Sequence, residues 1–311
     1  MGFQQGFRVN TNTASLNTYR SYAASQAGME KNIERLSSGL RINKASDDAA
    51  GLAISDRMSN QIRGMQQANR NVQQGNNLLQ TAEGAMNEVG NILGRMRELA
   101  VQSASDTVSN DDRSSIDLEF EQLKSEIDRI AKSTSYNGTG LIDGSQDGLA
   151  DNHTDSNTEK ITLQVGADNN TQDQLSFNLA NFSVTKDDGS TATEKFAGVA
   201  LTDGSSGTTF KALDLSTAAN SQTAITSLDQ AIEGVNDQRA TVGAYQNRLE
   251  FTSSNLMSSI QNNSASVSTI RDADFAAEAA DLAKNQILVQ SGTSMLAQAN
   301  GLSQNVLALI R

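Results

Sequence analysis

The chain has 311 residues, carries a formal net charge of −12, and contains neither proline nor cysteine. Without cysteine there is no disulfide, thiolate zinc site or cysteine nucleophile, and the negative balance disfavours general binding to nucleic acid or to anionic membranes. Average usage would place about 15 prolines in such a chain; their absence permits very long helices, and 37% hydrophobic with only 4% aromatic residues suits helices packed along narrow seams.

The first residues, MGFQQGFRVNTNTASLN, lack the apolar stretch of a secretory signal, and no apolar run is long enough to span a membrane. The expectation is export without a cleaved signal peptide and no membrane insertion. The first helical seam reads Tyr19, Tyr22, Gln26, Met29, Ile33, Leu36, Leu40, with apolar positions alternately three and four apart. It stops near Gly39 to Asn43. Ser46 is then expected to cap a second helix, with Asp47 and Asp48 in its positive first turn.

The second helix carries the longest pattern: Met58, Gln61, Met65, Ala68, Val72, Gly75, Leu79, Ala82, Met86, Val89, Leu93, Met96 and Ala100. At about 1.5 Å per residue it is a rod roughly 63 Å long. Gly64, Gly75, Gly84, Gly90 and Gly94 lie within it, each costing about 1 kcal/mol relative to alanine. Packing against partners must therefore hold this helix, and its small residues let neighbours approach. The methionines Met58, Met65, Met86 and Met96 read as seam packing rather than a metal box.

A third helix, with Ser109 as cap and Asp111 and Asp112 in its first turn, has the seam Ile116, Phe120, Leu123, Ile127, Ile130. Tyr136-Asn137-Gly138-Thr139-Gly140 is turn chemistry. Ile161, Leu163 and Val165 alternate, as do Leu175, Phe177 and Leu179, which predicts a hairpin with a long loop. Residues 141–220 hold twelve acidic and four basic residues and read as a solvated outer region. The helical period returns with Ile225, Leu228, Ile232, Val235, Val242, Leu249, Leu256 and Ile260, interrupted by Arg239, Gln246 and Ser253. The last helix runs from about Asp274 to the end, with the stripe Leu288, Gly292, Met295, Ala299, Leu302, Val306, Leu309.

The fold class expected is mainly α with a small β part: long antiparallel coiled-coil helices from both termini, plus a β-hairpin and a short variable outer region. Residues 1–45 with 270–311 form a terminal-helix polymerisation domain, 46–180 with 216–269 a helical rod domain, and 181–215 the outer region. Two terminal helices paired only with each other leave apolar surface wet. Burial is worth roughly 25 cal/mol per Å², so packing against sister copies captures what the monomer cannot. The polymerisation seams are Ile33, Leu36 and Leu40 on the first helix and Leu288, Met295, Leu302, Val306 and Leu309 on the last. A head-to-tail contact that does not close gives an open helical homopolymer.

The segments Glu34 to Asn43 (ERLSSGLRIN), Ser46 to Ile54 (SDDAAGLAI) and Arg95 to Ala104 (RMRELAVQSA) resemble the N-terminal signatures of bacterial flagellins. So do Tyr136 to Thr139 and Leu141 to Gly144; Asp272 to Phe275, Gln286 to Leu288, Ala297 to Asn300 and Asn305 to Leu307 resemble the family's C-terminal helix. The resemblance covers residues 9–170 and 220–311. It departs in the lead before Asn10-Thr11-Asn12, which is longer than usual, and in Ser303, where the family often has proline.

The resemblance implies a structural subunit of the flagellar filament, extracellular and used for motility. It implies type III export, partners among the export chaperone, cap and hook-junction proteins, and no enzymatic activity or cofactor. Arg95, Leu99 and Glu119 align with the rod surface that Toll-like receptor 5 reads in many flagellins, a surface also used between protofilaments. The alternatives are the homologous hook–filament junction protein and a secreted coiled-coil adhesin. His153 is the single histidine and reads as a loop residue, while Asp143, Asp147, Asp151 and Asp155 lack the spacing of a calcium loop.

Overall fold

The computed structural model describes residues 12–143, 161–184, 195–196, 199–200, 210 and 213–309, the side chains of residues 14, 195, 199 and 200 and those beyond residue 301 excepted. Five long helices carry the fold: α1 (Thr13–Ser38), α2 (Ala49–Ser103), α3 (Asn110–Ser133), α4 (Ala218–Arg271) and α5 (Phe275–Leu309). Among the described residues three two-stranded antiparallel pairs accompany them: β1 (Ser135–Tyr136) with β2 (Thr139–Gly140), β3 (Ile161–Gln164) with β4 (Gln174–Phe177), and β5 (Lys195–Phe196) with β6 (Val199–Ala200). The protein is therefore mainly α with a small β part, as expected. No described helix is long and apolar enough to cross a membrane.

Contacts divide the chain into two compact units, one of Met1–Ile62 with Gln261–Arg311 and the other of Arg63–Ile260. Residues of α2 and α4 contribute to both.

Helix ends follow local chemistry. Asn12 caps α1 by accepting from Ser15 N at 3.0 Å, and Gly39, at φ 71°, closes it with its N–H on Arg35 O. Ser109 caps α3, its side chain accepting from Asp112 N at 3.2 Å. Ser46 does not cap α2. The connector turns instead around Asp47, whose Oδ2 accepts from Asn43 N (3.3 Å) and Lys44 N (3.2 Å). The cap falls to Asp48, which accepts from Gly51 N at 2.9 Å. Asp274 does the same for α5, accepting from Ala276 N at 2.9 Å.

The Arg63–Ile260 unit has a true core. The α2 stripe from Met65 through Val72, Leu79, Met86, Leu93 and Met96 to Ala100 is buried, and it meets Leu228, Val235, Val242, Leu249 and Leu256 of α4 among the buried residues. Two of the three polar interruptions on α4 are matched from α2: Gln246 Nε2 donates to Glu83 Oε2 (2.9 Å) and Ser253 Oγ to Asn69 Oδ1 (2.7 Å). From α3 come Phe120 and Ile127, together with buried Lys124. Its Nζ donates to Leu213 O at 2.8 Å and to Glu121 Oε1 at 2.5 Å, tying α3 to the segment that leads into α4. Leu215 N, which donates to Asp117 Oδ1 at 2.8 Å, adds a second tie.

The β3–β4 hairpin pairs Ile161 with Phe177 and Leu163 with Leu175, as the alternation predicts. It lies on α2, where Asn71 Nδ2 donates to Gln164 O at 3.1 Å. A Cβ on Gly75 would fall 2.2 Å from Leu163 Cδ1, so this glycine makes room for the hairpin. Gly84 and Gly94 have nothing near them. The β1–β2 turn holds Asn137 at φ 52° and Gly138 at φ 82°, both left-handed, which fits an Asn-Gly hairpin turn.

Candidate assembly surface

The unit of Met1–Ile62 with Gln261–Arg311 is built on opposite lines. Here α1 and α5 run antiparallel, and the residues turned toward each other are small or polar as often as apolar. Ser15 Oγ donates to Asn300 Oδ1 (3.2 Å) and Asn12 Nδ2 to Ala299 O (3.0 Å). A Cβ on Gly292 would sit 3.3 Å from Tyr22 Cδ2, and one on Gly28 would sit 3.0 Å from Asn285 Nδ2. Asn32 is buried, and Arg35 Nη1 donates to Glu278 Oε1 at 2.8 Å with Glu278 itself buried.

The connectors α1–α2 and α4–α5 lie side by side in this unit. Leu40 and Asp272 form an antiparallel bridge, Arg41 N donates to Arg271 O (2.7 Å), and Ala273 N donates to Gly39 O (3.0 Å). Lys31 pairs with Asp47 at 2.8 Å. The Lys31 ammonium, helped by the backbone N–H groups of Lys44 and Asn43, holds the Asp47 carboxyl down at about 2.

Several large apolar side chains of this unit point outward, although Ile42 is buried. Ile33 is 49% exposed, Leu288 45% and Met295 56%, and with them stand Leu16, Tyr19, Phe275 and Ile287. The expected seams are thus split. Tyr22, Met29 and Leu36 are half-buried on the α1 side, whereas Tyr19, Gln26 and Ile33 are exposed. On α5, Gly292 and Ala299 are half-buried, while Leu288 and Met295 are open. Leu40 is half-buried in the connector. The side chains of Leu302, Val306 and Leu309 lie outside those described. Each helix carries an apolar stripe wider than one seam, and the intrachain pairing uses only part of it. Sequence spacing alone missed Leu16, Phe275 and Ile287. Their signal was apolar character one position away from the seam it traced.

The second expected surface lies on α2 and α3. Arg95 Nε and Nη2 both donate to Glu119 Oε1 (3.1 and 2.9 Å), and Nη1 donates to Glu98 Oε2 (3.1 Å). The Glu119 and Glu98 carboxylates raise the Arg95 pKa above its ordinary value. All three charged groups are solvent-accessible. Leu99 is not on this surface: it is 2% exposed, because it falls on the core side of α2 beside Met96 and Ala100. Leu118 on α3 and Val101 on α2 are exposed apolar side chains. Of the acidic run only Asp143 is described, and His153 lies outside the described residues. Among the described residues no group of three or more His, Cys, Asp or Glu side chains could hold a metal ion.

Comparison with known proteins places names beside this geometry. The family model described as bacterial flagellin N-terminal helical region matches residues 9–147, and that described as bacterial flagellin C-terminal helical region matches residues 225–310. The flagellin of Bacillus subtilis (strain 168) is 42% identical over 318 residues, covering 98% of this chain and 100% of that protein. The flagellar filament 30.7 kDa core protein of Treponema maltophilum is 39% identical over 302 residues, covering 97% and 99% respectively. The crystal structure of Bacillus cereus flagellin is 31% identical over 60% of this chain and 88% of that one, with a TM-score of 0.44.

Proposed function

This chain belongs to the bacterial flagellin family, and from that premise we propose how its terminal helices build a polymer. It is a structural subunit of the flagellar filament and not an enzyme. The outward apolar face of α1 and α5 is the surface that sister copies cover. One observation carries this: Tyr19, Ile33, Leu288 and Met295 stay exposed, while the intrachain pairing half-buries Tyr22, Met29 and Leu36 beside small and polar residues. Covering roughly 80 Å² on each of these side chains is worth about 2 kcal/mol apiece. That is enough to drive assembly when several act together. Relatives that match nearly the whole chain carry filament-protein names, which favours the filament over the junction and adhesin alternatives. The test is electron microscopy of purified chain after salt-induced assembly. Helical filaments are expected from the parent and none from a chain lacking residues 1–43, whose α2–α4 helicity persists. A full-length chain that stays monomeric at high concentration overturns the reading.

Motility, type III export without a cleaved signal, and dealings with an export chaperone, cap and hook-junction proteins follow from the same family reading. Soluble monomer is also a ligand for Toll-like receptor 5, through the exposed Arg95 and Glu119, with buried Leu99 shaping that surface from beneath. The filament is silent because the same face serves protofilament contacts. A reporter-cell assay in which purified monomer gives no signal at saturating dose overturns this, as does an Arg95→Ala variant with undiminished potency.

A further inference from the structure

The Arg63–Ile260 unit is uneven in charge along its length. Its antiparallel helices fix which residues share a level: Ser253 Oγ meets Asn69 Oδ1 (2.7 Å), Gln246 Nε2 meets Glu83 Oε2 (2.9 Å), and Arg97 Nε meets Asp229 Oδ1 (2.6 Å). Residues 63–82 of α2 therefore lie beside 240–260 of α4. This end holds three basic residues, Arg63, Arg70 and Arg248, against one acid, Glu250. Residues 83–143 with 213–239 hold sixteen acidic residues against seven basic. Five of those seven, Arg95, Arg97, Lys124, Arg129 and Lys132, are ion-paired within the unit. Glu88, Glu233 and Asp237 stand exposed at this acidic end. They share a level, since a Cβ on Gly90 would sit 3.9 Å from Val235 Cγ1.

The basic end also has the composition of a covered surface. Phe251 is the most exposed large apolar side chain among the described residues, at 77%, and Met257 is exposed on the same stretch of α4. Arg70 and Arg248 are exposed with them. From residue 251 to 260 α4 holds no charged side chain. A furrow of about 400 Å³ is lined chiefly by carboxamides, Gln73, Asn76 and Gln80 of α2 with Gln246 and Asn247 of α4, which donate and accept hydrogen bonds alike. Arg, Phe and Met in place of Lys, Asp and Glu mark surface that a partner covers. We propose that this end is a docking surface for a second copy of the chain. It receives the acidic end of the sister's rod, with Arg70 and Arg248 set against Glu233 and Asp237 and with Phe251 as the apolar anchor. Charge complementarity selects the occupant, since each end of the unit supplies what the other lacks. The two surfaces lie at different levels of one unit, so the contact is head-to-tail and repeats from copy to copy. This rests on the filament reading above, but not on the outward face of α1 and α5.

Full-length chains with reversed charge test this. One carries Arg70→Glu with Arg248→Glu and the other Glu233→Lys with Asp237→Lys. All four positions are exposed, so helicity and melting followed by circular dichroism should match the parent. Each chain is offered, alone and as an equimolar mixture, to short sheared filaments of the parent at low ionic strength. Growth is followed by light scattering and incorporation by mass spectrometry. Alone, each reversed chain should elongate at least about tenfold more slowly than the parent, because like charges meet at every contact. Mixed, the two should recover growth to within about threefold of the parent, with both chains incorporated equally, because each supplies the charge the other now needs. Phe251→Ser should raise the concentration needed for growth roughly tenfold. A reversed chain that grows like the parent overturns the proposal, as does a mixture no faster than its components. Parent-like growth of Phe251→Ser overturns the anchor. Where reversal disturbs the fold, Arg70→Gln with Arg248→Gln removes the charge without repulsion; undiminished growth of that chain overturns the proposal equally. The outward face of α1 and α5 is read separately, by substitution of Ile33 or Met295, and its failure would leave the mixing result as expected.

Discussion

The two units use the same helical alphabet toward opposite ends. In the Arg63–Ile260 unit the seam of α2 is filled by Leu79, Met86, Leu93 and Met96, all fully buried. In the unit formed by the chain termini, the seam mixes Ser15, Gly28, Asn32, Gly292 and the Arg35–Glu278 pair with half-buried Tyr22, Met29 and Leu36, and Tyr19, Ile33, Leu288 and Met295 look away. Both stripes are amphipathic by period; only the first is spent inside the chain. Stability and assembly thus reside in different places, and a substitution should move one without the other.

The largest effect expected is on assembly. Ile33→Asp or Met295→Asp should abolish polymer at concentrations where the parent is fully assembled, read by sedimentation, while melting shifts by no more than about 0.5 kcal/mol, as is usual for surface changes. A large loss of monomer stability in either variant would break the contrast. The converse is Leu93→Ala, which should cost about 3 kcal/mol or more of rod stability in thermal unfolding followed by circular dichroism. A cost under about 1 kcal/mol would mean the rod core is looser than its burial indicates.

Glycines of α2 sharpen the comparison within one helix. Gly75→Ala meets Leu163 and should destabilise by about 1–3 kcal/mol through overpacking. Gly84→Ala, with open space around it, should gain up to about 1 kcal/mol of helix propensity. Equal effects at the two positions would remove the claim that the hairpin, not helix dynamics, keeps residue 75 small. The smallest effect is a pH dependence at the α1–α2 connector. Asp47 titrates at about 2 in the folded chain against an ordinary 3.8. Its contribution is complete above the ordinary value and is lost as pH falls toward 2. The protection of the Asn43 and Lys44 amides against hydrogen exchange, relative to their intrinsic rates, should fall across that window in the parent, and Asp47→Asn should flatten the dependence.

Much of this was legible in the sequence. From Met65 to Ala100 every position of the traced α2 seam is buried, because there a single stripe has a single use. The Ser109 cap and the alternation of the β3–β4 hairpin were equally direct, being local. What spacing could not give was the division of labour in α1 and α5. Period identifies apolar residues on a face but not whether a sister helix or solvent meets them, and the intrachain partners at Ser15, Asn32 and Glu278 are polar. The Ser46 cap failed for a related reason: Asp47 had a better use, folding the connector around its carboxylate and passing the capping role to Asp48. Leu99 was read as surface from a resemblance, though its own place in the α2 period put it inside.

The bridge between Leu40 and Asp272 has a mechanical consequence. The chain leaves the terminal pair twice, once in each connector, and the two exits are stapled by Arg41 N to Arg271 O and Ala273 N to Gly39 O. Because the bridge is antiparallel, tension between the two chain ends reaches the Ala273 N–Gly39 O bond before the Arg41 N–Arg271 O bond. Stretched singly between its ends, the molecule should open this staple as a zipper, one bond after the other.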